Sequence, residues 1–303
     1  MESRTVELDG PVHYAEWDGA AGGATFVLVH GLGGSHVNWL SVAPGLARHG
    51  RVLAIDLAGF GRTAPAGRRS TLGANRRLLN RFIHATGAAP AIIVGNSMGG
   101  AISAMQASAE PESAAGLVLV DPALPRARSV TPDPLIAAVF AAYLVPGVGE
   151  QFIRRRAKML GPERLVRETM KVCCVDPSRI DPAAIEAHVA LATERQGYEW
   201  AHRSFLTAAR SLLRRLARRE RFLAMLHQIS CPTLMIHGDK DRLVPVAAAR
   251  AVAQMRPDWT LHVLEDIGHV PQLEDPAMWL ATVELWLAGN GKAASVAASR
   301  RVS

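Results

Sequence analysis

Lysine, cysteine and long hydrophobic runs are all scarce in this chain. Lysine occurs only four times in 303 residues, so arginine supplies most of the positive charge behind the formal net charge of +7. The three cysteines include the adjacent pair Cys173 and Cys174, and they lack both a disulfide framework and the spacing of a zinc site. The longest apolar run, residues 135–146, is too short to span a bilayer, and the N-terminus lacks the charged and apolar regions of a signal peptide. We therefore expect a soluble, cytoplasmic protein with reduced thiols.

Nucleotide-binding motifs are missing as well. Residues 31–34 form a glycine-rich loop, but their spacing is not the Gly-x-Gly-x-x-Gly of a dinucleotide site, and no phosphate-loop lysine is present. The arginines do not indicate a nucleic-acid partner, because they are concentrated in two places, Arg154–Arg156 and the stretch 203–221. Leucines alternate with arginines at helical spacing in the second place. We expect a solvated helix face there, with an acidic substrate or an anionic membrane surface as the alternative partner.

The most informative segment is Gly95–Gly100, which reads Gly-Asn-Ser-Met-Gly-Gly. It follows the apolar run Ala91–Val94, typical of a buried strand, and precedes a stretch typical of a helix. A Gly-x-Ser-x-Gly turn between a strand and a helix is the pattern of a nucleophile elbow, in which the serine has a strained backbone and an exposed hydroxyl. Ser97 is therefore the predicted nucleophile.

A nucleophilic serine needs a base and an orienting carboxylate, and in chains with this elbow both follow the serine. Asp239 and Asp241 lie in the loop after the predicted strand 232–236, and Asp121 follows another predicted strand. We predict Asp241 as the acid because it lies at the apex of its loop, whereas Asp239 is expected to hydrogen-bond within the loop. His269 is the predicted base, since it follows one more helix and strand and lies in a loop next to a glycine.

An oxyanion hole is predicted from two backbone N–H groups. The loop 30–34 follows a predicted buried strand, and its glycines let the backbone approach a ligand closely. The N–H of Leu32 can then join the N–H of Met98, the residue after the serine, in binding a developing alkoxide. His30 and His237 both precede a glycine at the end of a predicted strand, and we expect them to be structural hydrogen-bonding residues rather than bases.

In the order and spacing of these motifs, the chain resembles the α/β-hydrolase superfamily from its first strands to about residue 289. The resemblance implies an α/β fold with a mostly parallel, eight-stranded sheet, and a triad of Ser97, His269 and Asp241 that needs no metal or organic cofactor. It also implies that the segment Asp56–Gly61 is a structural turn. The elbow is similar to that of hydrolases that cleave carbon–carbon bonds in ring-fission products. Those enzymes typically carry a tryptophan after the catalytic histidine, whereas this chain has Val270, and their glycine loop also differs.

Three regions are predicted along the chain. Strand and helix patterns alternate in residues 1–122 and 231–289, which we assign to the α/β core. Residues 123–230 carry helical patterns only, which predicts a helical lid inserted over the serine. Residues 290–303 are small, polar and basic, and are predicted to form a disordered tail.

These residues predict a serine hydrolase that works through an acyl-enzyme. Serine at the elbow argues against dehalogenase or epoxide-hydrolase chemistry, which needs a carboxylate nucleophile. The apolar residues of the lid favour a small hydrophobic ester, so carboxylic-ester hydrolysis is the first hypothesis. Carbon–carbon hydrolysis, indicated by Asn96 and Met98, and cofactor-free perhydrolysis are the alternatives among enzymes. A hydrolase-fold receptor that binds a small ligand with little turnover is the alternative outside them.

Overall fold

The computed structural model describes residues 1–127, 131 and 133–299, without the side chains of residues 290–299. Within these ranges, eight strands form one sheet: β1 Glu2–Glu7, β2 Pro11–Trp17, β3 Ala24–Val29, β4 Gly50–Ile55, β5 Ala91–Asn96, β6 Ala114–Val120, β7 Thr233–Gly238 and β8 Thr260–Leu264. The helices of the same ranges are α1 Ala43–Leu46, α2 Leu72–Ala85, α3 Met98–Ala109, α4 Pro134–Leu144, α5 Val148–Cys173, α6 Pro182–Glu194, α7 Ala201–Ala217, α8 Arg219–Leu226, α9 Val246–Met255, α10 Pro271–Glu274 and α11 Pro276–Ser299.

The strand order of the sheet is β1-β2-β4-β3-β5-β6-β7-β8. β2 pairs antiparallel with both β1 and β4, and every other neighbouring pair is parallel. This topology confirms the predicted mostly parallel, eight-stranded sheet. Because β3 to β8 run in one direction, the loops that follow β3, β5, β7 and β8 all emerge at the same edge of the sheet.

Helices cover both faces of the sheet, as β3 illustrates. Val27 and Val29 pack in a cluster with residues of α2, α3 and α9, while Phe26 and Leu28 pack on the other face with residues of α1 and α11. Successive side chains of a strand point to opposite faces, so a strand that is buried on both faces is apolar throughout. The unbroken apolar run of β3 has this cause.

Most element bounds agree with the sequence patterns, and α11 differs from them. α2 begins after Thr71, whose hydroxyl accepts a hydrogen bond from the N–H of Ala74 at 3.3 Å and so caps the helix. α11 continues to Ser299, beyond residue 290, where the sequence predicted a disordered tail. The extension contains four alanines between residues 293 and 298, and alanine has the highest helix propensity. Residues 300–303 of the predicted tail lie outside the described residues.

The described residues between β6 and β7 contain helices and no strand, and α4 to α8 form what we call the helical insertion. Four of the residues before α4, 128–130 and 132, lie outside the described residues. α4 and α5 pack on α7 through an aromatic cluster in which Tyr143 contacts Phe140, Phe152 and Phe205. Within the described residues no single helix is long and apolar enough to cross a membrane. α4 and α5 are long and apolar enough only when taken together, and the chain bends by 116° between them.

Candidate active site

Ser97 lies in the turn between β5 and α3 with a φ of 53° and a ψ of −117°. A positive φ is strained for a residue with a side chain, so neighbouring structure must hold it. The N–H of Ser97 donates to the carbonyl of Val120 at 3.0 Å, and its own carbonyl accepts from the N–H of Ala123 at 2.9 Å. The end of β6 and the segment after it therefore hold the elbow in its strained form.

The elbow glycines allow α3 to pack directly on the sheet. A Cβ at Gly95 would lie 2.5 Å from the carbonyl oxygen of Gly99, and a Cβ at Gly99 would lie 2.1 Å from the carbonyl oxygen of Val29. Carbon and oxygen cannot approach this closely without a bond, so only glycine fits at either position. The flanking glycines of the serine are thus required by backbone packing.

His269 and Asp241 form a buried pair. The imidazole Nδ1 of His269 lies 2.6 Å from Oδ2 of Asp241, and Oδ1 of Asp241 accepts from the N–H groups of Leu243 and Val244 at 2.8 and 2.9 Å. Burial opposes ionisation of Asp241, but the charge of His269 and the hydrogen bond from it outweigh burial and lower the pKa of Asp241. With Nδ1 engaged as donor, Nε2 of His269 is the nitrogen that can take up a proton.

Asn96 connects this pair to the elbow. Its side-chain Nδ2 donates to the carbonyl oxygens of His269 and Val120, both at 3.1 Å. Within the described residues no hydrogen bond joins the hydroxyl of Ser97 to His269. The structure therefore brings the predicted acid and base together beside the predicted nucleophile, without the serine–histidine contact. Such contacts are often open in ligand-free enzymes and tighten when substrate binds.

The loop of His269 is held from behind by two groups that the sequence analysis missed. The N–H of His269 donates to the carbonyl of Cys173, the last residue of α5, at 2.6 Å. Glu274, a buried residue of α10, accepts from the N–H of Gly268 at 2.8 Å and from the N–H groups of residues 175 and 176 at 2.8 and 2.9 Å. Glu274 carried no motif in the sequence, since its partners lie in separate segments.

Asp121 lies behind the pair and does not contact the imidazole of the predicted base. Its Oδ1 accepts from the N–H of Gly238 at 2.9 Å, and its Oδ2 has no hydrogen-bond partner within the described residues. Burial, and next the charge of Asp241, raise the pKa of Asp121 well above its usual range. Nε2 of His237 lies 3.5 Å from Asp241 and 3.7 Å from Asp121, and donates to the carbonyl of Val244 at 2.7 Å. The side chains of Asp121, His237 and Asp241 are close enough to share a metal ion. However, Nε2 of His237 already donates its proton to the carbonyl of Val244 and so cannot be a ligand.

The predicted oxyanion loop lies against the elbow. A Cβ on Gly31 would lie 3.2 Å from Cβ of Ser97, and the N–H of Gly34 donates to the carbonyl of Gly31 at 3.1 Å to close a turn. Leu32 lies inside this turn, and its N–H has no acceptor within the described residues. Met98 is the first residue of α3, where a helix leaves its N–H without an intrahelical acceptor. Both predicted donors are therefore available beside the elbow.

His30 has the structural role that the sequence predicted. The N–H of Leu57 donates to its Nε2 at 3.1 Å, so Nδ1 carries the proton and donates to the carbonyl of Gly31 at 2.7 Å. Burial lowers the pKa of His30 to about 4, which keeps the ring neutral. The ring thereby connects the loops after β3 and β4.

The segment after β4 is built around the buried carboxylate of Asp56. This carboxylate accepts from Nδ1 of His13 at 2.7 Å, from Nδ1 of His36 at 3.0 Å and from the N–H of Arg62 at 2.9 Å. Burial opposes its ionisation, but the bonds from the two histidines outweigh burial and hold the pKa of Asp56 well below its usual range. Although these three side chains could also ligate a metal ion, their donors point at the carboxylate, as in a structural turn.

A family model, proteins of similar sequence and a solved structure all relate this chain to the same family. Residues 24–276 match the family model of the alpha/beta hydrolase fold. The chain is 30% identical over 261 residues to the 2-hydroxy-6-oxo-6-(2'-aminophenyl)hexa-2,4-dienoic acid hydrolase of Metapseudomonas resinovorans, covering 85% of this chain and 81% of that protein. It is 26% identical over 276 residues to Lipase 1 of Psychrobacter immobilis, covering 90% and 80%. The crystal structure of a membrane phospholipase A is similar with a TM-score of 0.70 at 26% identity, covering 95% and 86%. The chain belongs to the α/β-hydrolase family.

Proposed function

We propose that the protein is a serine hydrolase that cleaves carboxylic esters through an acyl-enzyme. The observation that carries this proposal is the strained elbow of Ser97 with the buried, hydrogen-bonded pair of His269 and Asp241 beside it. Its similarity to Lipase 1 supports the same reaction class. Serine at this position permits an acyl-enzyme that water can hydrolyse.

The reaction follows from the roles of these groups. Nε2 of His269 takes the proton of the Ser97 hydroxyl as its oxygen attacks the ester carbonyl, and Asp241 stabilises the imidazolium that forms. The N–H groups of Leu32 and Met98 bind the oxyanion of the tetrahedral intermediate. His269 then gives its proton to the leaving alcohol, and an acyl-enzyme remains. Water, activated by the same nitrogen, attacks the acyl group and releases the acid.

Apolar side chains next to the oxyanion loop favour a hydrophobic acyl or aryl group. Leu32 packs in a cluster with Tyr143 of α4 and Phe205 of α7. A Cβ on Gly33 would lie 3.2 Å from the ring of Phe205, so the helical insertion contacts the loop directly. A substrate carbonyl bound at this loop would have these apolar side chains as neighbours.

A fluorophosphonate probe tests the nucleophile. We expect the probe to label Ser97, and Ser97→Ala to abolish labelling and to lower aryl-ester turnover by several orders of magnitude, since the acyl-enzyme cannot form. Ser108, a half-buried serine at the other end of α3, offers the matched control, and Ser108→Ala should label and turn over like the parent. Undiminished ester hydrolysis in Ser97→Ala would refute the proposal.

Carbon–carbon hydrolysis of a ring-fission dienoate is the second candidate, and Arg195 is the observation that favours it. The guanidinium of this half-buried arginine lies 3.5 Å from the carbonyl of Gly59 and makes no ion pair within the described residues. Burial lowers its pKa, so an anionic partner would stabilise it. A dienoate supplies such a carboxylate, and the relative from Metapseudomonas resinovorans is named for a substrate of this class.

A substrate panel separates the two reactions. Ester hydrolysis predicts that aryl esters of increasing acyl length are turned over and that the ring-fission dienoate is not. Carbon–carbon hydrolysis predicts that the dienoate is turned over and the aryl esters are not. Arg195→Gln should then lower turnover of the dienoate roughly a hundredfold or more, because the substrate carboxylate loses a charged partner. Arg218, which is exposed, provides the control substitution Arg218→Gln, and no change is expected for it on either substrate.

A further inference from the structure

The outward face of α4 and α5 differs from the rest of the surface. Nine large apolar side chains are exposed among the described residues, and five of them belong to α4, α5 and the turn between them, with Leu135 exposed to 63% and Met159 to 79%. Monomeric proteins rarely expose clustered apolar side chains unless the cluster binds something. We call this face the outer patch; its apolar members are Leu135, Leu144, Val145, Val148 and Met159.

We propose that the outer patch docks the protein on an anionic lipid bilayer. The proposal concerns binding and stands apart from the ester reaction. It differs from the basic stretch 203–221 that the sequence indicated, because it involves α4 and α5, which carry exposed apolar side chains as well as cations.

The apolar part of the patch is a helix face that has no partner in the fold. α4 contains no charged residue, and its exposed positions, 134, 135, 138, 141 and 144, fall on one half of the helix and are all apolar. The opposite face is already used, since Phe140 and Tyr143 pack inward with residues of α5 and α7. A helix face toward water is normally polar. The exposed face of α4 therefore fits an apolar medium.

Cations without ion-pair partners among the described residues lie on α5, and one of them, Arg155, lines a groove with Val148 and Met159. Arg154, Arg155 and Lys158 of α5 are exposed, and none makes an ion pair within the described residues. Glu150 is the one acidic residue in the sequence from 134 to 160, and Arg210 neutralises it at 2.9 Å. The outer patch therefore has uncompensated positive charge, which an anionic membrane surface attracts.

The shape of α5 fits a lipid. A groove of about 410 Å³ runs along the helix between the apolar side chains of Val148, Phe152 and Met159 and the guanidinium groups of Arg155 and Arg156. Apolar walls beside guanidinium groups match an acyl chain next to a phosphate.

Charge also argues against a second copy of this chain as the occupant. Two outer patches facing each other would bring the same three unpaired cations of each copy together, and like charges across an interface oppose association. An anionic bilayer has the opposite charge and an apolar interior, which matches both parts of the patch.

Vesicle co-sedimentation tests the proposal with the whole protein. The vesicles contain ether-linked lipids, either phosphatidylcholine alone or an equal mixture with phosphatidylglycerol, so that no ester is available for cleavage and binding is read without turnover. We expect binding to the anionic vesicles, much weaker binding to neutral ones, and a loss of the difference at high salt because salt screens surface charge. Failure to bind the anionic vesicles would overturn the proposal and leave the ester proposal untouched.

Exposed apolar residues elsewhere provide a matched control for the apolar part. Leu135→Ser combined with Met159→Ser should weaken binding at least tenfold, because two side chains no longer enter the apolar layer. Met278→Ser combined with Leu285→Ser changes two similarly exposed residues of α11 and should leave binding unchanged. Equal losses in both double variants would contradict a role for the outer patch. All four positions are exposed, and circular dichroism checks that the variants fold.

The cationic part has its own pair of variants. Replacing Arg154, Arg155 and Lys158 with glutamine should weaken binding to anionic vesicles roughly a hundredfold at low salt. The control replaces three exposed arginines outside the insertion, Arg69, Arg77 and Arg250, with glutamine. Sedimentation velocity tests whether a second copy of this chain binds the outer patch instead. If the protein is a dimer that does not bind vesicles, and the Leu135→Ser and Met159→Ser double variant is a monomer, the outer patch serves self-association and lipid docking is refuted.

Discussion

Both oxygens of the Asp241 carboxylate are in use. Oδ2 pairs with His269, and Oδ1 accepts two backbone N–H groups of its own loop, so the carboxylate cannot rotate away from the imidazole. Asp239 has a different environment, because its carboxylate pairs with Lys240 at 3.1 Å, whose side chain is exposed. The two aspartates are two residues apart in sequence, and only Asp241 contacts the predicted base.

Substitution of these aspartates separates their roles. Asp241→Asn should lower kcat for an aryl ester roughly a thousandfold or more, because the imidazole loses the partner that sets its tautomer. Asp239→Asn is the matched control and should change kcat only slightly. A greater loss in Asp239→Asn, or in Asp121→Asn, would show that the acid has been assigned to the wrong carboxylate.

The predicted site residues could be chosen from the sequence because their positions follow chain order. Ser97, Asp241 and His269 each follow an apolar strand pattern, and parallel strands bring such positions to one edge. Glu274 could not be found in this way. Its carboxylate accepts from the N–H group of residue 175, which lies 99 positions away, and no local pattern encodes that contact.

At the scale of elements, α10 joins the helical insertion to the loop of His269 through Glu274. Its carboxylate holds backbone N–H groups on both sides of this junction, as described above. Hydrogen bonds to a charged group are stronger than those to a neutral group. The negative charge of this buried side chain therefore stabilises the position of the histidine loop.

Glu274→Gln should loosen this junction. The amide offers one acceptor oxygen where the carboxylate offers two, so at least one backbone N–H loses its partner, and we expect a loss of about 2 kcal/mol in the free energy of unfolding. Urea denaturation measures the loss, and kcat for an aryl ester should fall with it because the loop carries the base. Glu265, exposed in the preceding loop, gives the control Glu265→Gln. Unchanged stability would mean that water replaces the missing bonds.

Elements with a strong local pattern were predictable to the residue. The predicted helix 246–255 and strand 260–264 coincide with α9 and β8, since apolar spacing and flanking turns mark their ends. The length of α11 was not predictable in this way, because residues 290–299 are mostly small and carry no amphipathic pattern that would mark the end of a helix. The break between α4 and α5 is marked by Pro146 and Gly147, the latter with a φ of 81°, but no local pattern gives the angle of 116° between the two helices.

At the scale of the whole molecule, removal from water lowers the pKa of several histidines. Burial lowers the pKa of His30, to about 4, and also those of His188 and His237. A histidine of the unfolded chain takes up a proton near pH 6.5. Between about pH 6.5 and 4 the unfolded chain therefore binds protons that the folded protein does not, and the free energy of unfolding falls as pH falls through this window. The raised pKa of Asp121 acts in the opposite direction.

His30→Gln should reduce this pH dependence. His30 alone accounts for up to about 3 kcal/mol between neutral pH and pH 4, so the variant, although less stable at pH 7, should lose less stability on acidification than the parent. Urea unfolding at a series of pH values measures both curves. His227, which is exposed, gives the control His227→Gln, whose curve should follow that of the parent. Parallel curves for His30→Gln and the parent would contradict the assignment of this window to His30.

The bond between the carbonyl of Cys173 and the N–H of His269 restricts how the site can open. α5 ends at Cys173, so a movement of the entire helix would break this bond and displace the base. α5 is interrupted at Gly161, where φ is 66° and no atom lies within 4 Å of a Cβ placed there. A hinge at Gly161 would let residues 148–160 swing with α4 while residues 162–173 stay in place. Opening of this kind would admit a substrate without displacing His269, so access to the candidate site and the geometry of that site would depend on different halves of one helix.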